Sequence, residues 1–268
     1  MNGMPFDLQK IGKQQSTYFN LLAEIGHTKH FGGLAATKRL VEIIKPKPGH
    51  EVLDVGCGVG IGAVFLAEKF GCRVVGVDIT PRMIQRAQDR AQRKGVTELV
   101  DFRVADMHAL PFAGSHFDAA IAESVLTFSQ DKTYVVNELA RVVKQDGMVA
   151  FTEAIWVRPP PEGKADFMAR AGGMPEGILT HEEWRAIVAA SNLEQVVAEA
   201  TPVTARQESR NQAGRTSFDD YIRSFGGFFK AITRPEYRQV FRSAIGSTPR
   251  DFYKYIGYGV YGGRKIAN

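Results

Sequence analysis

Cysteine is scarce in this chain. The only two are Cys57, inside a run of glycines, and Cys72, at the start of an apolar stretch. That scarcity argues against a disulfide framework and against a cysteine metal centre, and makes a reducing cytoplasm the expected setting. No apolar run approaches the ~18–20 residues a membrane span needs. Met1 to Lys10 lacks the apolar core of a secretion signal. His, Asp and Glu do not cluster at metal-ligand spacing, so no metal is expected. Internal repeats and low-complexity tracts are also missing.

What is present is the composition of an ordinary soluble globular protein, 44% apolar and 24% charged over 268 residues. That length suits one large domain, or one domain with an elaborated cap. The net charge of +5 is unevenly placed. From Thr201 onward, 12 Lys/Arg stand against 5 Asp/Glu, with 12 of the 27 aromatic residues. The stretch reads as a cap over an anionic or aromatic substrate, as a surface touching nucleic acid or membrane, or as a solvated face over an aromatic core.

The organising stretch is Val52 to Gly60, in which an apolar run carries Asp54 and then Gly56, Gly58 and Gly60 alternate with small residues. It reads as strand, tight turn and helix, with the glycines supplying positive φ and a close backbone approach to a ligand. From Glu51 the pattern alternates strand and helix. Strands are expected at 51–55, 73–77, 100–104, 117–122 and 147–154, and helices at 61–70, 81–94 and 131–143. Such alternation predicts an α/β fold, a doubly wound and mostly parallel sheet that binds ligands beyond the carboxyl ends of its strands. Asp54, Asp78, Asp106 and Glu123 all fall at those ends.

Before the core, Tyr18, Leu21, Leu22 and Ile25 have helical spacing, and a second amphipathic helix covers 34–44. His27 and His30 lie in the loop between them. After the core come a Pro/Gly-rich connection over 156–178, a helix opened by a capping box at Thr180 to Glu183, a strand at 194–203, helices at 217–232 and 235–245, and a last strand through 255–265. The organisation expected is a single domain over 1–268, with an N-terminal helical cap at 1–48, a cofactor-binding core at 49–155 and a helical lid at 204–250.

Gly58 to Ala63 fits the dinucleotide pattern G-x-G-x-x-G/A, but the apolar run stops before Gly56 and leaves Asp54 beside the turn. A carboxylate there would repel a pyrophosphate. It suits a cationic ligand, or a role in fixing the loop through backbone N–H groups.

Val52 to Gly60, Gly76-Val77-Asp78, Ala105-Asp106-Met107 and Phe117 to Ser124 together resemble, in order, the motifs of class I S-adenosylmethionine-dependent methyltransferases. Within that class the chain is most similar to the small-molecule enzymes grouped with the ubiquinone/menaquinone C-methyltransferases. Tyr18 to Gly33 is more loosely similar to the N-terminal segment of sterol and tocopherol C-methyltransferases. The resemblance implies a seven-stranded sheet, S-adenosylmethionine as cofactor and S-adenosylhomocysteine as product. It implies that Gly56, Cys57, Gly58 and Gly60 pass under the methionine part and that Asp54 holds the loop or the amino group. Asp78 would bind the ribose hydroxyls with Ile79 on the adenine, Asp106 and Met107 would meet the adenine amino group, and Glu123 and Ser124 would border the methionine end and the substrate.

The reaction expected is in-line displacement of methyl from sulfonium, in which the protein supplies proximity, alignment and water exclusion. For a phenol or carbon acid a general base helps. His30 is the first candidate, with Tyr18 as a second catalytic candidate and His27 beside the substrate. Phe225 and Phe228, in the aromatic lid, suit an apolar or aromatic small molecule, methylated as a quinol or phenol or on a ring carbon. Amine methylation and an RNA-modifying activity using the basic C-terminal region are alternatives. No Asn/Asp-Pro-Pro-Tyr follows the fourth strand, which disfavours exocyclic amines of nucleic acid. A peripheral membrane contact and a homodimer are compatible with the charge pattern.

Overall fold

A computed structural model describes residues 13–25, 30–163, 165, 174, 177–213, 227–229, 233–235, 237 and 251–266, and among these residues seven strands and seven α-helices of nine or more residues make one layered α/β unit. The helices are α1 (Lys13–Ile25), α2 (Gly33–Ile44), α3 (Ile61–Phe70), α4 (Pro81–Lys94), α5 (Lys132–Val142), α6 (His181–Ala189) and α7 (Ala205–Ala213). The strands are β1 (Glu51–Val55), β2 (Arg73–Asp78), β3 (Val100–Val104), β4 (Phe117–Glu123), β5 (Val143–Trp156), β6 (Leu193–Pro202) and β7 (Ile256–Lys265). Their order across the sheet is β3-β2-β1-β4-β5-β7-β6. The first five run parallel, and β7 enters antiparallel between β5 and β6. The order reverses direction between β1 and β4, and an open sheet binds its ligand at that switch point.

β1 and β4 are apolar along most of their length because helices cover both faces of the sheet, so their runs do not alternate with polar residues. Leu40, Val64, Leu66 and Ile84 lie in the core on one face. Leu53, Leu139, Phe151 and Trp184 lie on the other. Asp131 caps α5 by accepting from Tyr134 N at 2.8 Å, and Thr180 and Glu183 form the expected capping box on α6. Thr80 makes no side-chain cap on α4, whose start rests on Pro81 at the first turn.

Besides the apolar packing of Leu22 and Ala23 on Val59 and Met83, one carboxylate ties α1 to the unit. Glu24, 4% exposed, lies 2.6 Å from Arg82 Nη2 on α4 and 3.0 Å from Arg234 Nη1. A charge so buried depends on its partners, and removing them would leave it uncompensated.

Two expected elements differ. β5 starts at Val143, four residues early, because α5 runs into it directly and the left-handed Asp146 turns the chain before the long ladder begins. α7 was not expected, since ARQESRNQA has no apolar period. Its anchors are polar and are described below. The helices expected over 217–232 and 235–245 fall largely outside the described residues.

Candidate cofactor and acceptor site

A cavity of about 540 Å³ opens at the carboxyl ends of β1, β2, β3 and β4. It lies within the ~300–1,000 Å³ of small-molecule sites. Its wall includes Asp54, Gly56, Cys57 and Gly58 from the turn after β1, and Asp78 and Ile79 after β2. Asp106 and Met107 come from the turn after β3, and Glu123 and Ser124 from the end of β4. Tyr18 and His30 close it from the N-terminal side. The expected residues from the strand ends and the N-terminal segment are therefore brought to one place.

Two expected residues are not on that wall, and two more lie outside the described residues. Gly60 caps α3 at φ 77° and packs against Ala87 of α4, so it shapes the turn from behind, while Gly62 lines the cavity instead. Phe228 is more than a third exposed and is not on the wall. Its neighbour Gly227 abuts the backbone of Glu24, leaving no room for a Cβ, and Phe228 and Phe229 project outward. His27 and Phe225 lie outside the described residues.

Of the two acidic residues next to the glycine turn, Asp78 was expected at the ribose and Asp54 at the loop or the amino group, and the structure adds a loop contact to Asp78. Asp78 holds the loop: Oδ2 accepts from Gly58 N at 3.0 Å and Oδ1 from Thr80 N at 2.8 Å. Burial pushes the Asp78 carboxyl above its ordinary value, and these backbone donors partly offset the rise. Asp54 is 2% exposed and points at the first turn of α3. A Cβ on Gly62 would stand 3.1 Å from Asp54 Oδ2 and 2.8 Å from Glu123 Oε1. Two carboxylates thus converge over Gly62, an arrangement that suits an ammonium group. Cys57 is buried in the turn, and burial pushes its thiol well up, so it is an apolar filler there rather than a nucleophile.

Gly56 shows how tight the turn is. Its φ is 69°, and a Cβ would overlap the Val125 side chain. Gly56→Ala is expected to weaken cofactor binding at least about 10-fold, through strain of the left-handed backbone and displacement of Val125. Titration calorimetry measures this, and an unchanged Kd would show that the turn tolerates a side chain.

On the N-terminal side, His30 Nε2 lies 2.8 Å from Glu123 Oε2, and Thr37 Oγ1 donates to the same oxygen at 2.6 Å. All three residues are largely or wholly buried. His30 Nδ1 is 3.1 Å from the Phe31 carbonyl oxygen. α7 grips this loop from the far end of the chain. Glu208 Oε2 accepts from Gly32 N at 3.0 Å, and Gln212 Nε2 donates to the His30 carbonyl and to Glu208 Oε1. Tyr18 is partly buried, and desolvation raises its phenol, so at neutral pH it keeps its proton and is not a base. Phe19 and Phe128 meet edge to face at 4.9 Å on the same wall. Ser124 stands at φ 54°, in the left-handed region that non-glycine residues seldom occupy.

Sequence reasoning missed Thr37, His108, Phe128, Glu208 and Gln212. The only local signal was at His108, two residues after Asp106. The others meet partners 86 or more residues away, or sit in turns whose path the sequence does not reveal.

The donor set fits an S-adenosyl cofactor. Glycine backbone lies where side chains would collide, carboxylates suited to a ribose diol and to an ammonium stand at the ends of β1, β2 and β4, and Asp106 stands after β3. Among the described residues no group of His, Cys, Asp and Glu could hold a metal.

Comparison with known proteins agrees. The family described as a methyltransferase domain matches residues 53–151. Methyltransferase GfsG of Streptomyces halstedii is 31% identical over 201 residues, which is 72% of this chain and 70% of that protein. The 27-O-demethylrifamycin SV methyltransferase of Amycolatopsis mediterranei is 28% identical over 205 residues, 71% and 75% of the two chains. Phosphoethanolamine N-methyltransferase 1 of Arabidopsis thaliana is 37% identical over 136 residues, but these are 51% of this chain and only 27% of that longer protein. In structure, the (4+2)-cyclase SpnF covers 100% of both chains with a TM-score of 0.74 at 21% identity, which shows a shared fold. The chain belongs to the class I S-adenosylmethionine-dependent methyltransferases, and S-adenosylmethionine is its cofactor.

Proposed function

We propose that the chain methylates a hydroxyl group of an apolar or aromatic small molecule, a quinol or phenol being the best-fitting class, with His30 as the proton acceptor. The observation that carries this reading is the 2.8 Å approach of His30 Nε2 to Glu123 Oε2, buried on the wall that also holds Tyr18, Phe19 and Phe128. S-adenosylmethionine supplies an activated methyl group on a positive sulfur. What the chain must add is a nucleophile in line and free of water. The Phe31 carbonyl only accepts, so the 3.1 Å bond of His30 Nδ1 places a proton on that nitrogen, and in the neutral ring the lone pair lies on Nε2. Among the described residues Nε2 makes no hydrogen bond, and its 2.8 Å approach to Glu123 Oε2 sets that lone pair against an acceptor. It can exchange that contact for an acceptor hydroxyl and take its proton. Thr37 and the α7 grip hold Glu123 and the loop for this step. An amine brings its own lone pair and has less need of such a pair.

The likeness to a 27-O-demethylrifamycin methyltransferase supports an oxygen acceptor. The aromatic pair Phe19 and Phe128 supports a planar, apolar one. Acceptors of that kind partition into membranes, and the basic C-terminal stretch suits peripheral contact with an anionic surface. Among the described residues no helix is long and apolar enough to cross a membrane.

A labelled-methyl screen of quinols, phenols and aliphatic alcohols against amines and thiols tests the reading. Turnover is expected with the hydroxyl set. His30→Gln should lower kcat by about 10²–10⁴-fold, the usual worth of a general base, with the cofactor Kd within about threefold. Turnover confined to amines, or full kcat in His30→Gln, would overturn it.

A further inference from the structure

We propose that His108 is a positioning residue that locks Asp106 as an obligate hydrogen-bond acceptor and so makes the site selective for a 6-aminopurine over a 6-oxopurine. The inference rests on the adenine of the cofactor lying at Asp106.

The lock is visible in the bonding. Asp106 Oδ1 accepts from His108 N at 2.9 Å and from His108 Nδ1 at 2.8 Å. The other ring nitrogen, Nε2, lies 2.9 Å from Ser129 Oγ. Ser129 is fully buried, and its hydroxyl oxygen accepts from Asp131 N at 3.0 Å. That bond uses an acceptor position of the hydroxyl and leaves its proton for His108 Nε2. The neutral ring therefore carries its own proton on Nδ1, facing Asp106. A doubly protonated ring gives the same answer, because Nδ1 donates in both forms. The Asp106 carboxylate raises His108 above the ordinary imidazole value, which agrees with this pairing. In either form Asp106 meets a donor on Oδ1 and has no need of a proton of its own.

A carboxylate in that state accepts and cannot donate. A purine 6-amino group offers it a proton, whereas a 6-oxo group sets an acceptor against an acceptor. Sites built around such a polar pairing reject the mismatched analogue strongly, because the buried group is left unpaired. Without the imidazole, Asp106 can turn or take up a proton, and a protonated carboxyl donates to a 6-oxo group. The wild-type residue thus contributes discrimination beyond affinity. His108, Ser129 and Asp131 also join the turn after β3 to the start of α5, across the Phe128–Gln130 segment of the acceptor wall.

The test is titration calorimetry with S-adenosylhomocysteine and its 6-oxo analogue, S-inosylhomocysteine, on the full chain, with folding checked by circular dichroism. The wild type is expected to prefer the 6-amino ligand by about 100-fold or more. His108→Ala should cut that ratio at least about 10-fold, and His108→Gln, whose amide can donate to Asp106, should restore much of it. If His108→Ala does not fold, Ser129→Ala loosens the same ring from its far side and should lower the ratio by a smaller factor. A ratio unchanged in His108→Ala, or in its Ser129→Ala substitute, but lost in Asp106→Ala, overturns the role of His108 and leaves Asp106 at the adenine. A ratio unchanged in Asp106→Ala overturns the adenine placement and the proposal with it.

Discussion

Asp78→Ala should lose S-adenosylmethionine affinity by about two to four orders of magnitude while keeping its fold. Each hydrogen bond to a charged group contributes about 1.5–3 kcal/mol, and the substitution removes the two that the Asp78 carboxylate is expected to accept from the ribose hydroxyls. At ~1.4 kcal/mol per decade, two such bonds account for that range. Loss of the bonds to Gly58 N and Thr80 N loosens the glycine turn and adds to it. Stability should change less, because burial already raises the Asp78 carboxyl and so marks a desolvated charge whose removal brings relief. Asp78→Asn keeps one acceptor oxygen and should fall between. Calorimetry beside circular dichroism reads both quantities, and an Asp78→Ala Kd within threefold of wild type would refute the placement of the cofactor at β2.

Glu153→Gln should raise the thermal midpoint, and the gain should grow from pH 5 to pH 8. Glu153 stands on β5 with no exposed surface. Its Oε1 accepts from Leu126 N at 2.7 Å, and burial pushes its carboxyl to about 8 from 4.5. Below the unfolded value both states hold the proton, and the contribution of the neutral acid is fully present. As pH rises through the window the unfolded chain releases its proton while the native chain retains it. Stability is therefore lost progressively until the folded value of about 8 is passed. At 1.36 kcal/mol per unit, the loss by pH 7 is on the order of 3 kcal/mol. Glutamine is neutral throughout and can still accept from Leu126 N, so it removes this slope. For a chain of this size the gain near neutrality is about 5–10 °C. Identical midpoints for both proteins from pH 5 to 8 would show that Glu153 is ionised in the native state.

The core was legible because its signals are local. Parallel strands buried on both faces read as apolar runs, and the acidic residues at their ends read as a ligand edge. The capping box at Thr180 and Glu183 is written within four residues. What was not legible depends on distant partners. ARQESRNQA shows no apolar face because α7 is fastened by Glu208 and Gln212 to backbone atoms of the loop after α1. Nothing near Glu153 distinguishes it from a surface carboxylate. That Asp78 also fastens the glycine turn depends on which way a carboxylate points once the turn has closed, and spacing does not encode that. Phe228 misled because a row of aromatics suggests a lid whichever way its helix faces.

The grip of Glu208 on Gly32, 176 residues away, bears on how such an enzyme changes over time. The donor-facing residues from Asp54 to Asp106 sit inside the segment shared with the family, 53–151. Tyr18, His30, Glu208 and Gln212 sit outside it. Acceptor preference can therefore drift in lineages that keep the methyl donor unaltered. A substitution at either end of the grip burdens the other, so the two outlying segments should evolve as a pair, and a chimera that exchanges one without the other should place His30 wrongly.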